Sequence, residues 1–216
     1  MPAEPQPYGN RENPLASGCP ADFDQLIEAV GPASMLVLIR SRMSENLLRL
    51  MTPEDIWQET LLHAWRDRHN CEWRGLPSFR RWLLGIVENR IRDAADRSLA
   101  QKRGHNAHPV FRSELPTFDS SEQGGGELLL ATTTPSRVAA DREQAEIMQA
   151  SLETLPENLR EIVRLRLFED LSMQEIAARL ELGVEAVRHR FRQGAELYRR
   201  QLTHLLASRS RGESRE

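Results

Sequence analysis

The 216-residue sequence contains little cysteine, few aromatic residues and only short apolar runs, and each shortage excludes a class of protein. Its two cysteines, Cys19 and Cys71, are too few for a disulfide framework and favour a reducing cytoplasm. The longest apolar run, from Met35 to Ile39, is far too short to span a bilayer, so no membrane partner is predicted. The Pro-rich, polar start lacks the layout of a signal peptide, and we therefore expect a cytoplasmic protein.

Patterns typical of catalysis and metal binding are also missing, which argues against an enzyme. The glycine triplet at residues 124–126 lacks the following Lys-Ser/Thr of a phosphate-binding loop. Cys71, His63 and His69 have no fourth ligand at a sensible spacing, which argues against a structural metal. We therefore expect no catalytic residue, no metal site and no cofactor.

Long helical patterns dominate the sequence, without a convincing run of alternating strand residues, and this predicts an all-α fold. We predict two small helical domains, over residues 21–103 and 140–206. Residues 104–139 have prolines, a glycine triplet and no sustained period, which is typical of a flexible linker. Residues 1–20 are predicted to be a disordered tail, and the polar residues 207–216 a second tail.

The net charge of −3 is unexpected for a nucleic-acid-binding protein, but the charge is unevenly distributed. Residues 66–103 hold 10 Lys/Arg against 5 Asp/Glu, and residues 184–211 hold 7 Arg against 2 Glu. Between them, residues 141–181 hold 5 Arg against 10 acids. Local fields matter more for DNA binding than the total charge does, so two DNA-binding segments are indicated. The alternative, that these arginines only solvate helical faces, stays open.

Residues 171–194 give the strongest local signal. Ser172 with Glu175 predicts a capping box at the start of one helix, and Gly183 opens a second helix. The second helix has an apolar stripe of Val184, Val187, Phe191 and Tyr198 and an outer face of Glu185, Arg188, His189 and Arg192. Two short helices around a sharp turn, the second with a basic outer face, are typical of a helix-turn-helix that reads DNA.

An earlier helix is predicted from Thr52, a cap residue followed by proline and two acids, to about His69. Its core face is formed by Trp57, Leu61, Ala64 and Trp65. Another face is shared by Asp55, Gln58, Glu59 and Leu62, because these residues are three or four positions apart. Acids beside an exposed leucine suit a basic helical partner, although an ordinary solvated face is the alternative.

A loop is predicted from Asn70 to Pro77, followed by a helix capped by Ser78 that runs to about Arg97. The loop places Trp73 beside Arg74, and an aromatic next to arginine can stack on an unpaired base. Alternatively, the ring covers the edge of the domain.

Three segments resemble one family. PEDIWQETLLHAW (residues 53–65) and SFRRWLLGIVENRIRD (residues 78–93) resemble the promoter-melting module of bacterial RNA polymerase sigma factors. The similarity is to the small two-module kind called extracytoplasmic-function (ECF) sigma factors. LPENLREIVRLRLFEDLS (residues 155–172) leads into the helix-turn-helix as in the second module of that family. Together the two resemblances cover roughly residues 33–103 and 140–202.

The resemblance implies a sigma factor that binds core RNA polymerase and directs promoter-specific initiation. Contact with the clamp helices of the largest polymerase subunit maps onto Asp55, Gln58, Glu59 and Leu62. Capture of the −10 strand maps loosely onto Trp73, Arg74, Arg81, Asn89, Arg90 and Arg92. Recognition of the −35 element maps onto Glu185, Ala186, Arg188, His189, Arg190 and Arg192. An anti-sigma factor, which often sequesters members of this family, is a candidate partner.

Side-chain chemistry suggests a role for four of the −35 positions. Glu185 can accept a hydrogen bond from cytosine N4, and Arg188 can reach guanine O6 and N7. Arg190 and Arg192 suit phosphates.

The turn departs from the family pattern at three positions, where Glu181, Gly183 and Ala186 replace the usual glycine, serine and threonine.

A second interpretation is a helix-turn-helix regulator that is not a polymerase subunit. It explains the second domain equally well, but it leaves the two helices of the first domain unexplained.

Overall fold

The computed structural model describes residues 13–102 and 134–213. Within these ranges the regular structure is entirely helical, so the predicted all-α fold is confirmed. The described residues form two compact units: residues 13–32 with 39–102 and 134–138, and residues 33–38 with 139–213. Two helical modules were predicted and are found, but their limits at 21–103 and 140–206 stay predictions. Most of the predicted linker, residues 104–133, lies outside the described residues.

In chain order the α-helices are α1 (Pro20–Val30), α2 (Pro32–Arg42), α3 (Glu45–Leu48), α4 (Pro53–Arg66), α5 (Leu76–Lys102), α6 (Pro135–Glu153), α7 (Glu157–Leu167), α8 (Met173–Arg179) and α9 (Val184–Glu213). Short 3₁₀ turns occupy Pro14–Ser17 and Arg68–Asn70.

The core of the first unit forms where α4 packs against α5 and α1. The predicted stripe of α4 faces this core, with Trp57, Leu61 and Ala64 buried and Trp65 half-buried. Phe23 of α1 lies edge-on to Trp65, with ring centroids 5.4 Å apart, and to Phe79 of α5, with centroids 6.3 Å apart. Thr60 is the buried polar side chain of α4, and its hydroxyl donates to the Ile56 carbonyl at 2.8 Å. These contacts fix which face of each helix remains outside.

Part of the predicted tail of residues 1–20 is ordered. The Asn13 side chain accepts from the Leu15 backbone N–H at 3.0 Å, and Pro14 begins a 3₁₀ turn. Leu15 is buried, and Gly18 ends the turn in the left-handed region with a φ of 61°. The prediction was wrong for residues 13–20 because a single leucine finds a buried site there. Residues 1–12 lie outside the described residues.

Three predicted boundaries also shift. The helix predicted to be capped by Ser78 begins two residues earlier, at Leu76. Ser78 Oγ instead accepts a hydrogen bond from the Arg74 N–H at 2.8 Å and donates one to the Gly75 carbonyl at 2.8 Å. Gly75 allows this because its φ of 92° lies in the left-handed region that favours glycine. Helix α6 begins at Pro135, inside the predicted linker, and α9 continues through Glu213, inside the predicted tail.

The core of the second unit is formed where α7, α8 and α9 meet, by Ile162, Leu165, Ile176, Ala177 and Val187. The predicted capping box is present at the start of α8, where Ser172 Oγ accepts from the Glu175 N–H at 3.2 Å. Glu175 in turn accepts from the Ser172 N–H at 2.7 Å. The turn that follows holds Glu181 at a φ of 54°, a conformation that explains why glycine suits this position.

Candidate protein and nucleic-acid interface

The four residues predicted to contact polymerase lie on the accessible side of α4. Asp55 and Gln58 are exposed, and Glu59 and Leu62 are half-buried. Asp55 also has a structural role. Its carboxylate accepts hydrogen bonds from the Thr52 N–H at 2.8 Å and from the Thr52 hydroxyl at 2.9 Å. The same residue therefore caps the helix that presents it.

Glu59 has a partner that the sequence did not indicate. Its Oε2 lies 3.4 Å from Nη2 of Arg97, on α5, and both side chains remain partly exposed. Arg97 also donates from Nε to the Asp93 carbonyl at 3.3 Å. Glu59 and Arg97 are 38 positions apart, so no local pattern predicts that they meet.

Three of the cations and amides predicted for the −10 strand lie together on the outer face of α5. Arg81, Asn89 and Arg92 are all exposed, and helical spacing places Arg81 and Arg92 in line. Nη1 of Arg92 donates to Oδ1 of Asn89 at 3.3 Å. Two guanidinium groups along one exposed face can follow a phosphate backbone.

Arg90 is placed differently from these residues. Its side chain is 16% exposed, and its Nη2 pairs with Asp93 at 2.7 Å. Its Nη1 lies 2.9 Å from Nε2 of His63 on α4. Burial lowers the pKa of His63, and the positive charges of Arg90 and Arg66 lower it further. Near neutral pH a neutral imidazole therefore accepts this hydrogen bond.

The structure thus places Arg90 between α4 and α5, and its −10 role stays a prediction. Its spacing was a usable signal, because Arg90 follows buried Val87 by three positions and precedes buried Ala94 by four.

Trp73 and Arg74 lie in the segment before α5. Trp73 is half-buried against Phe79, with ring centroids 6.3 Å apart, which matches the alternative that the ring covers the domain edge. Its indole nitrogen is buried without a hydrogen-bond acceptor among the described residues. Arg74 is 77% exposed and pairs with Glu72 at 2.9 Å. Of these two residues, Arg74 is the more accessible to a ligand.

The residues predicted to read the −35 element all lie on the first turns of α9. Glu185, Arg188, His189 and Arg192 are exposed, whereas Ala186 and Arg190 are half-buried. The inner face of the same turns is fixed by Val187, which is buried in the core of the second unit. Glu185 and Arg188 are joined by a contact of 2.5 Å between Oε1 and Nη1. A helix with exposed donors at its N-terminal end, held by α8, is the arrangement that enters a major groove.

Two family models match the chain at these places. Sigma-70 region 2 matches residues 38–100, which contain α4 and nearly all of α5. Sigma-70, region 4 matches residues 145–196, which contain α7, α8 and the first turns of α9. The chain belongs to the sigma-70 family. The resemblance seen in the sequence is therefore confirmed.

Several relatives of this chain are ECF sigma factors by name. The ECF RNA polymerase sigma-E factor of Escherichia coli strain K12 is 32% identical over 136 residues, which are 63% of this chain and 66% of that protein. The sigma-E factor of Salmonella typhimurium strain LT2 gives the same values. The RNA polymerase sigma-H factor of Pseudomonas aeruginosa is 29% identical over 153 residues, 71% of this chain and 74% of that protein. The sigma factor thus spans 66% of the length of the sigma-E relatives.

One solved structure also aligns with this sigma factor. It shows CnrH in complex with the cytosolic domain of CnrY. The alignment covers 90% of this chain and 93% of the chain in that structure, with 24% sequence identity and a TM-score of 0.33.

Proposed function

We propose that this chain binds core RNA polymerase and directs it to promoters by contacting both a −10 and a −35 element. The observation that carries the proposal is that one chain holds both family matches, each on its own helical unit. A conventional helix-turn-helix regulator requires only the second unit, so the first unit favours the sigma-factor interpretation. A cytoplasmic location follows from this function, since core polymerase and promoter DNA are there.

The polymerase contact is proposed for the exposed side of α4. Asp55 and Glu59 supply negative charge, Gln58 supplies an amide, and Leu62 supplies apolar surface beside them. Complementary charge steers a basic helix towards such a face and disfavours wrong partners. The clamp helices of the largest polymerase subunit are the proposed partner.

DNA recognition is proposed to be divided between the units. The α5 face of Arg81, Asn89 and Arg92 would hold the phosphates of the separated −10 strand, where cations give affinity without reading sequence. The outer face of α9 would read base edges of the −35 element. With two contacts on one chain, neither contact has to be tight by itself. An anti-sigma factor that covers these faces stays an expectation from the family resemblance.

Run-off transcription with purified core polymerase tests the proposal directly. We expect defined transcripts from promoter-containing templates of its own genome when the full chain is added, and none with core polymerase alone. Co-purification with core polymerase separates the two interpretations, because an operator-binding regulator does not require it. Absence of both transcripts and core binding would disprove the proposed function.

Charge reversal at Glu59 tests the polymerase face. Glu59→Lys is expected to weaken core binding by about tenfold or more, about 1.4 kcal/mol, because it places like charge against a basic partner. Binding is measured by titrating labelled core polymerase with the full chain. Glu45→Lys is the matched control, since it makes the same charge change at an exposed position on α3. Equal weakening by both variants would argue for a general charge effect and against this face.

Asp55 requires a milder substitution than Glu59. Lysine at this position would remove the capping box together with the charge, so lost helix stability would be confused with lost binding. Asp55→Asn removes the charge and keeps a side-chain acceptor for the cap. We expect it to weaken core binding with little change in the melting of the first unit.

A further inference from the structure

The ion pair between Glu185 and Arg188 stands out among the residues predicted to read the −35 element. The two side chains are one helical turn apart, 83% and 51% exposed, and joined at 2.5 Å. Within the part of the chain that the structure describes, none of the other four predicted −35 residues (Ala186, His189, Arg190 and Arg192) makes an ion pair. The pair therefore commits one carboxylate oxygen of Glu185 and one guanidinium nitrogen of Arg188 to each other.

We propose that Glu185 is a positioning residue for Arg188 and reads no base of its own. Its carboxylate holds Nη1, so that the other guanidinium donors of Arg188 point together at the O6 and N7 acceptors of one guanine. The inference rests on the proposed −35 function of α9. It replaces the interpretation in which Glu185 accepts from cytosine N4 and Arg188 contacts guanine independently.

The geometry of arginine supports this division. Guanidinium carries several N–H donors in a rigid plane, so one nitrogen can bind a carboxylate while others face a base. Two-point contact with guanine requires a fixed orientation of that plane. An exposed arginine on a helix has many rotamers, and a carboxylate one turn earlier selects those that lie along the helix towards its N-terminal end.

Electrostatics gives a second argument. A major groove is bordered by two rows of phosphates, which repel a carboxylate that enters alone. Glu185 lies in the first turn of α9, the part of the helix that enters the groove first. Paired with Arg188, the carboxylate is neutralised locally and can be accommodated there. The pair therefore enters as a unit in which only the guanidinium presents donors to the base edge.

A selection experiment with the full chain tests the proposal. Core polymerase with wild-type chain selects bound duplexes from a library randomised over the −35 element, and the selection is repeated with Glu185→Gln, Arg188→Ala and the double variant. Arg188→Ala is expected to lose the preference for guanine at one position by about tenfold or more. Glu185→Gln is expected to weaken the preference at that same position and no other. The double variant should match Arg188→Ala.

Two controls separate positioning from stability. Glu185→Asp, which keeps the charge, should restore part of the guanine preference that Glu185→Gln loses. The thermal melting temperatures of all variants should agree closely if the substitutions leave the stability of α9 unchanged. A variant that only weakens the start of α9 would instead lower every base preference together. Parallel loss of all preferences would therefore overturn the proposal.

Three further outcomes are decisive. If Glu185→Gln changes preference at a second position, and does so also in the Arg188→Ala background, Glu185 reads a base itself and the proposal fails. If Glu185→Gln changes nothing, the pair is irrelevant to recognition and the proposal also fails. If the wild-type chain selects no −35 element at all, the proposed function fails first, which is a different result from the other two.

Discussion

Glu169→Ala is expected to destabilise the second unit by about 2–3 kcal/mol and to abolish −35 recognition. The Glu169 side chain is 4% exposed, and its Oε1 lies 2.6 Å from Nη1 of Arg164. Its Oε2 lies 3.2 Å from Nη1 of Arg179. Alanine would leave the half-buried Arg164 with Glu161 alone and would remove the ion pair that joins Glu169 to Arg179 of α8. Loss of these ion pairs should loosen α8, which packs against α9 in the core of the second unit.

Urea unfolding monitored in two ways measures this effect. All four tryptophans lie between residues 57 and 82, so their fluorescence reports the first unit, whereas far-UV circular dichroism reports both. We expect the dichroism transition to divide and the fluorescence transition to stay unchanged. Arg179→Ala is the control: it removes a partner that is 53% exposed and should cost less than about 1 kcal/mol. Equal effects of the two variants would show that the buried carboxylate has no special role.

Gly194→Ala is expected to destabilise the same unit by about 1–2 kcal/mol, because overpacking outweighs the gain in helix propensity. A Cβ at this buried position would lie 2.6 Å from Cγ2 of Val163 and 3.3 Å from Cβ of Leu159. Val163 and Leu159 are themselves buried, so neither can move aside without opening the core. The close crossing of α7 and α9 therefore requires glycine.

Gly85→Ala provides the opposite case for comparison. Gly85 is also within a helix, but a Cβ there would meet nothing within 4 Å. This substitution should stabilise the first unit by roughly 0.5–1 kcal/mol, which the fluorescence transition measures. The test is whether the free energy of unfolding falls in Gly194→Ala and rises in Gly85→Ala. A gain in stability with Gly194→Ala would contradict the packing seen at the crossing.

Local rules predicted much of the fold correctly. The capping box of Ser172 with Glu175 and the helix start at Thr52 were readable because each signal lies within four consecutive residues. The apolar stripes of α4 and α9 were equally readable, since helical spacing alone assigns them to the core.

Features that depend on distant contacts could not be read from the sequence. Burial of Leu15 inside a Pro-rich segment and the pairing of Glu59 with Arg97 depend on where other helices lie. Arg90 is an intermediate case: the family resemblance implied a −10 role, and its spacing from the buried Val87 and Ala94 is a signal of the core edge that the prediction did not use.

The pairing of Glu59 with Arg97 has a consequence for how polymerase binding responds to ionic strength. A basic partner must displace an exposed arginine that already neutralises part of the charge on Glu59. Dissolved ions weaken this internal pair as well as the attraction to the partner, because both are accessible to solvent. The two effects oppose each other, so added salt should reduce binding less than a count of the acids on α4 would suggest.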